Sequence, residues 1–456
     1  MSSQRNQIDM LNGSLLDKIV LFALPLAASS VLQQLFNAAD LAVVGRFASS
    51  TAMAAVGSNS SLISLLLSLF MGLSLGSNVL IATYIGRGHR EEVNAAVHST
   101  IGIALVCGLI VFTLGMFLAK PLLLLMSAPE DVIDLAALYL RIYFFAVPFI
   151  MIYNFGSAIL RSKGDSKRPL IAMTISGVLN VVLNLILVIV FKLHVIGVAV
   201  ATVASNVVSA SLVWYFLAHE EEDFRLSFRK IRIRKEDLSM TLRVGLPAGL
   251  QGTVFSLSNV VIQSSVNSFG SIAVAGNTAA QNFDFMDFCV INSFVQAGVT
   301  FTSQNFAARK IDRCRKVFRI VYGVGIGAGI VICTIITLLR GTLIQLFTTD
   351  PAVIQYAMTR MMLTLTPHFL IGTYEISGGC LRGMGKSVTP MLISILGTCA
   401  FRLIWVFTVV SVHHEYSTLM TVYPISWMLT GVVMTTAYLL TRRKLFAAMP
   451  AADEAA

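Results

Sequence analysis

Asp40 lies in a long apolar stretch near the start of the chain. It shares a helical face with Gln33 and Asn37, at spacings of i, i+4 and i+7, and Gln34 adjoins them. Further on, Asn180 and Asn184 are one helical turn apart, and Thr202 sits in the next apolar stretch. If these stretches are membrane-crossing helices, a rise of 1.5 Å per residue puts Asp40 roughly 7 Å from the outer end of its helix. On the same scale Asn184 is roughly 22 Å from the inner end of its own helix, and Thr202 is roughly 12 Å below the outer surface. The three depths are compatible with one cluster in the outer half of the membrane. A carboxylate there can take up and release a proton; together with amide and hydroxyl oxygens it can instead ligate Na⁺. Ionisable groups inside a membrane are costly and usually functional. The plainer alternatives are an Asp40 that meets water at a helix end, and asparagines that hydrogen-bond neighbouring helices together.

A second set lies in the other half of the chain. Asp284 and Asp287 are one turn apart, roughly 17 and 21 Å from the outer end of their helix. There they would either receive a cationic guest in a watery cavity or form structural pairs. Glu375 and Arg402 are also within apolar stretches, at depths that differ by roughly 9 Å. An ion pair between them is one reading and a role in transport is the other. Pro25 and Pro247 interrupt the backbone bonding of their helices, as moving hinges or as fixed bends. His368 and the pair His413-His414 have no companions at ligand spacing, so no metal site is expected. The six cysteines show no CxxC spacing and read as small apolar fillers. A phosphate-binding G-x-x-x-x-G-K-[ST] loop, an H-E-x-x-H helix and a serine elbow are all missing, which argues against an ATP-driven pump or an enzyme. No cofactor is expected beyond a coupling ion, H⁺ or Na⁺.

Composition defines the solvent in which these residues work. The chain of 456 residues is 56% hydrophobic and 12% charged, against roughly 25% charged in soluble domains. Apolar stretches of about 20 residues, the length that crosses a bilayer core, recur throughout, and in lipid each must be helical to satisfy its own backbone. The expected fold is an all-α integral membrane protein with twelve transmembrane helices, near 16–45, 52–84, 93–118, 132–160, 169–191, 194–218, 239–268, 273–306, 317–339, 352–381, 388–411 and 417–441. The short polar N-terminus carries no cleavage signature, so the first span is expected to be kept.

The net charge of +10 could suggest a nucleic-acid partner, but the basic residues are confined to short loops. Twenty-five Lys and Arg fall at the N-terminus, in the even-numbered loops and at the end, whereas Arg46, Lys120, Lys192 and Arg340 alone fall in the odd-numbered loops. The positive-inside rule then puts both termini in the cytoplasm, as an even number of spans requires. Residues 219–238, acidic then basic, read as a solvated cytoplasmic linker between lobes at 13–218 and 239–444. Residues 445–456 read as a disordered tail.

The chain also repeats itself. At a shift of 222, Leu24-Pro25 meets Leu246-Pro247, Gly76 meets Gly298, Arg87 meets Arg309 and Pro129 meets Pro351. One residue is then lost: at 221, Leu160-Arg161, Gly164, Ser166 and Pro169 meet Leu381-Arg382, Gly385, Ser387 and Pro390. Two six-helix lobes of the same orientation follow, related by a pseudo-two-fold axis along the membrane normal, as in transporters that rock one half against the other.

The doubled L-R-x-x-G-x-S-x-x-P turn, Pro25, Asp40, and Gln304-Asn305 with Ala307-Ala308 resemble the multidrug and toxic compound extrusion family over about residues 13–444. The resemblance implies efflux of organic cations and drugs in exchange for H⁺ or Na⁺ by alternating access. It places cation coupling at Asp40, Asn180, Asn184 and Thr202 in one branch of the family, which often has Asp where this chain has Asn184. That departure removes a negative charge and favours H⁺. Helix seven lacks the acidic residue of members with a second-lobe ion site. The cavity would be lined by Gln33, Gln34, Asn37, Asp284, Asp287, Glu375 and Arg402, with hinges at Pro25 and Pro247. Its acidic character suits a cationic guest and weighs against the related flippases for lipid-linked saccharides, the alternative reading. A monomer in a bacterial-type inner membrane is expected, its partners the lipid bilayer and small organic cations.

Overall fold

The computed structural model describes residues 7–47, 50–125 and 130–448. Among them there is no strand, and the chain forms twelve helices in series. The first six are α1 (Leu16–Phe47), α2 (Ser50–Arg87), α3 (Arg90–Leu125), α4 (Glu130–Ser162), α5 (Lys167–Leu185, extended by a π-helical segment Ile186–Val190) and α6 (His194–Ala218). The second six begin with α7 (Lys235–Asn267), α8 (Ser271–Ala307) and α9 (Ile311–Gln345). In α10, Pro351–Arg360 is followed by a π segment (Met361–Leu365), a 3₁₀ turn (His368–Leu370) and Ile371–Gly383. In α11, Val388–Ser394 and Phe401–Trp405 alternate with π segments Ile395–Ala400 and Val406–Val410, and α12 spans Tyr416–Ala447.

Nine of these helices are long and apolar enough to cross a bilayer. The other three expected spans, α7, α8 and α10, miss that measure; α7 and α8 are rich in polar residues and α10 is broken into short pieces. Side chains such as Phe117, Leu338 and Phe407 are left exposed, as a lipid solvent allows. The inward faces carry helical spacing: Phe144, Val147, Met151 and Phe155 of α4 are all buried in one cluster.

The chain divides into two compact units, one of residues 1–9 and 24–249, the other of 10–23 and 250–456. Both long divisions fall inside helices, beside Pro25 of α1 and Pro247 of α7. The start of each repeat's first helix is therefore packed with the other repeat, which departs from the expected boundaries at 218 and 239. In the first unit, glycines explain the packing. Cβ atoms added at Gly72 and Gly76 of α2 would come within 2.2 Å of the Gly249 nitrogen and 2.3 Å of the Thr241 oxygen. Gly245 and Gly249 of α7 meet Leu73 and Leu69 just as closely. This is a reciprocal small-xxx-small contact, in which backbones approach because no side chain intervenes. In the second unit Phe22 of α1 packs edge-on to Phe301 of α8 at 5.8 Å. Asn305 Nδ2 donates to the Met10 carbonyl at 3.0 Å, and Arg313 donates to the carbonyls of Met10 and Gly13.

The backbone of the repeated turn closes in the same way in both copies, although Asp165 of the first is Lys386 in the second. Gly164 and Gly385 adopt φ of +95° and +75°, which L-residues with a Cβ avoid. The nitrogens of Asp165 and Lys386 donate back to Leu160 and Leu381, closing α4 and α10 with a glycine cap. The Asp165 side chain then accepts from the nitrogens of Lys167 and Arg168, starting α5.

The segment 219–234 keeps exposed charged residues such as Glu221, Arg225, Arg229 and Lys230, as expected from its charge, but it is also docked at several points. Phe224 and Leu226 are buried. Asn94 Nδ2 donates to the Glu222 carbonyl at 2.8 Å, and the Ser227 nitrogen donates to His98 Nε2 at 3.0 Å. Glu220 is buried against Lys163 at 2.6 Å and also contacts Arg168. Those two cations, acting against the burial that opposes ionisation, hold the Glu220 carboxyl below its ordinary range. At the other end, α12 continues to Ala447, so the expected tail begins as helix; residues 449–456 lie outside the described residues.

Candidate functional site

In the first unit three elements meet at Asp40. It lies on α1, half-buried, and accepts a hydrogen bond from Asn184 Nδ2 of α5. Asn184 is 0% exposed and its Nδ2 also donates to Asn180 Oδ1 at 3.2 Å. Asn180 Nδ2 in turn donates to Ser205 Oγ of α6 at 3.4 Å. The chain Asp40–Asn184–Asn180–Ser205 follows from helical spacing: positions 180 and 184 are one turn apart on the buried face of α5. The π segment of α5 begins two residues after Asn184, and such segments are frequent at functional sites. Tyr139 and Tyr143 of α4 stack at 6.2 Å.

The other expected members stand apart. Thr202 donates its hydroxyl to the Val198 carbonyl of its own helix at 2.9 Å, and Ser205, three residues on, supplies the hydroxyl to Asn180. Sequence reasoning missed Ser205, although it shares a helical face with Thr202. Gln33 and Asn37 are exposed, and Asn37 donates to Gln34 at 3.2 Å. No described group of three His, Cys, Asp or Glu residues converges as a metal site would.

The second unit holds a larger polar core. Asp284 Oδ2 pairs with Arg360 Nη2 of α10 at 2.6 Å. Arg360 Nη1 also donates to Asn277 Oδ1 at 2.7 Å, which accepts from the Tyr416 hydroxyl at 3.1 Å. Asp287 is 0% exposed, and its Oδ2 lies 2.8 Å from His368 Nδ1, within hydrogen-bonding distance. The His368 ring stands edge-on to Trp427 at 5.2 Å. Arg360 occurs where α10 passes into its π segment and His368 opens the 3₁₀ turn. Arg360 carried a signal that was overlooked, an arginine inside an expected span.

Glu375 and Arg402 do not pair. Glu375 Oε2 lies 3.8 Å from Arg382 Nη1, and Gln251 of α7 bridges the two, accepting from Arg382 at 2.8 Å and donating to Glu375 at 3.5 Å. Arg402 is 1% exposed. Its Nε donates to Ser426 Oγ at 3.2 Å, and its guanidinium lies 4.6 Å from the Tyr423 ring, 5.6 Å from Phe255 and 5.9 Å from Trp427. The acidic cavity expected from sequence is thereby corrected. Asp284, Asp287 and Glu375 each have a basic partner, and the one buried cation of this group with no carboxylate is Arg402. Removing one member of a buried pair costs roughly 3–5 kcal/mol; Asp284 Oδ1 and Asp287 Oδ1 nevertheless have no hydrogen-bond partner.

Twelve helices in two repeats, each enclosing buried ionisable groups beside helix irregularities, define a multi-pass membrane transporter rather than an enzyme. The MatE family profile matches residues 25–186 and again 247–408, two segments offset by the 222 residues of the internal repeat. The chain belongs to the MatE family. It is 30% identical over 383 residues to the probable multidrug resistance protein YoeA of Bacillus subtilis, covering 82% of each chain. It is 26% identical to the probable multidrug resistance protein NorM of Thermotoga maritima, covering 85% of this chain and 84% of the relative. Its fold matches the outward-facing conformation of a multidrug resistance MATE transporter with a TM-score of 0.90 at 23% identity, over 97% of this chain and 99% of that one.

Proposed function

We propose that this protein exports amphipathic organic cations and drugs from the cytoplasm by alternating access, in exchange for protons carried at Asp40. The observation that carries the reading is the hydrogen-bonded chain from Asp40 through Asn184 and Asn180 to Ser205. It is a single carboxylate supported by neutral groups. Asn184 presents its N–H₂ to Asp40 without supplying a second negative charge. Only one carboxylate is present here, and a single carboxylate among neutral groups suits a proton better than Na⁺, which favours more than one negative ligand. In this reading Asp40 takes up a proton from outside as drug leaves, and releases it inside as drug loads. The prolines of α1 and α7 are the bends at which each helix can flex. The names of the relatives support drugs as the substrate class.

The protein would act as a monomer in a bacterial inner membrane with both termini in the cytoplasm. Uptake of ethidium into inside-out vesicles, under a proton gradient and a sodium gradient imposed separately, tests the proposal. Uptake driven by the proton gradient alone is expected; uptake driven only by sodium overturns the choice of ion. No gradient-driven uptake of any organic cation would move the assignment to a flippase for a lipid-linked saccharide.

A further inference from the structure

We infer that Arg402 receives the carboxylate of a transported molecule, so that the polar core of the second unit selects amphiphiles carrying an anionic group. The inference rests on the reading of the protein as an exporter and adds a substrate class to it.

Charge pairing leads to Arg402. Asp284 is held by Arg360, Asp287 by His368 and Glu375 by Arg382, and Arg402 has none of these. It is buried all the same, and its Nη2 has no hydrogen-bond partner. A buried cation is ordinarily paired or neutralised. The rings of Tyr423, Phe255 and Trp427 stabilise its charge through their faces, but they accept no guanidinium hydrogen along the fork. A carboxylate would, since the planar guanidinium fits two parallel bonds to its oxygens.

The fold itself does not require a cation at this place. The position 221 residues earlier, in the first repeat, is Val181. Arg402 lies in the five-residue segment Phe401–Trp405, with a π segment on either side. Such segments concentrate at functional sites and at places where a helix rearranges, which gives Arg402 a route to turn toward a guest.

Rhodamine 110 and rhodamine 123 provide the test, because they share one fluorophore and differ in a free carboxyl against its methyl ester. The full chain is placed in phosphatidylcholine liposomes, and gradient-driven uptake of each dye is measured. The wild type is expected to show a KM for rhodamine 110 about tenfold below that for rhodamine 123, because a site built to bond a group rejects the analogue lacking it. Arg402→Gln is expected to bring the ratio near one, and Arg402→Lys to leave a reduced preference. Because the readout is a ratio, it is insensitive to loss of folded protein, and the wild-type arm stands even if Arg402→Gln does not fold. Equal KM values in the wild type, or an unchanged ratio in Arg402→Gln, would overturn the inference; the first is also the result expected if Glu375 becomes the partner of Arg402 in another state. Equal KM values with thermal stabilisation by phosphatidylglycerol that Arg402→Gln lacks would assign Arg402 to a lipid phosphate instead. Wild-type protein that takes up neither rhodamine nor ethidium would refute the exporter reading itself, an outcome distinct from uptake without preference.

Discussion

Asn184 donates an amide hydrogen to the carboxylate of Asp40, 144 positions earlier in the chain. The bond joins α5 to α1 and ties the one acidic group of the first unit's polar cluster to an amide with no charge of its own.

Asp40→Asn keeps the shape of the side chain and removes its titration. Proton-driven ethidium uptake should fall to background while the variant expresses at wild-type level. Cells carrying it should be as drug-sensitive as cells lacking the protein, so full resistance would remove Asp40 from the coupling role.

Asn184→Asp places a second carboxylate beside Asp40. Two adjacent carboxylates repel and are relieved by a bound cation or by a shared proton. The variant should gain sodium-stimulated uptake that the wild type lacks, measured by adding NaCl against choline chloride at fixed pH. An identical response of the two proteins would show that the count of carboxylates does not set the ion.

Arg360→Leu removes the partner of a buried aspartate and should destabilise the second unit by roughly 3–5 kcal/mol. Arg360→Leu combined with Asp284→Leu should recover much of that loss, because no charge is left stranded. Thermal unfolding in detergent reads both. A double variant no better than the single would mean that the pair contributes through Asn277 and Tyr416 rather than through its charges.

Gly72→Leu would force a side chain into the backbone of α7, where a Cβ alone meets the Gly249 nitrogen at 2.2 Å. Overpacking costs about 1–3 kcal/mol in cores that can shift, and more here, because backbone cannot move aside as a side chain can. Loss of folded protein is expected in fluorescence-detected size exclusion, whereas Gly327→Leu on α9, with open space around its Cβ position, should be tolerated.

Glu220 gives a pH prediction. Its carboxyl titrates below the ordinary range because of Lys163 and Arg168, so its folded pKa is lower than its unfolded one. The stability it contributes is present above the unfolded pKa and is lost as pH falls through the folded pKa. Docking of residues 219–234 should therefore loosen in acid, seen as faster hydrogen exchange there, and Glu220→Gln should already exchange fast at neutral pH. A variant with wild-type exchange would mean that Phe224 and Leu226 hold the segment by themselves.

The sequence by itself determined the class of protein, the helix count and the repeat, because each rests on a local or periodic property. Apolar length makes spans, and proline, glycine and arginine at a fixed shift make the repeat. Gly164 and Gly385, needed at positive φ, make the shared turn. It also brought Asp40, Asn180 and Asn184 to compatible depths, since rise per residue is a one-dimensional measure. Only the tertiary structure decided which polar groups meet. Depth along a helix says nothing of rotation about its axis, so Ser205 rather than Thr202 joins Asn180, and Arg382 rather than Arg402 joins Glu375. The pairing of Asp284 and Asp287 with Arg360 and His368 depends on how α8 and a broken α10 are turned toward each other, and π segments that shift helical phase are invisible to a regular 3.6-residue count. The packing of residues 235–249 with the first repeat likewise follows from close backbone contact at glycines, and that of residues 10–23 with the second from Phe22 against Phe301 and from hydrogen bonds of Asn305 and Arg313; sequence spacing permits both but cannot assign a partner.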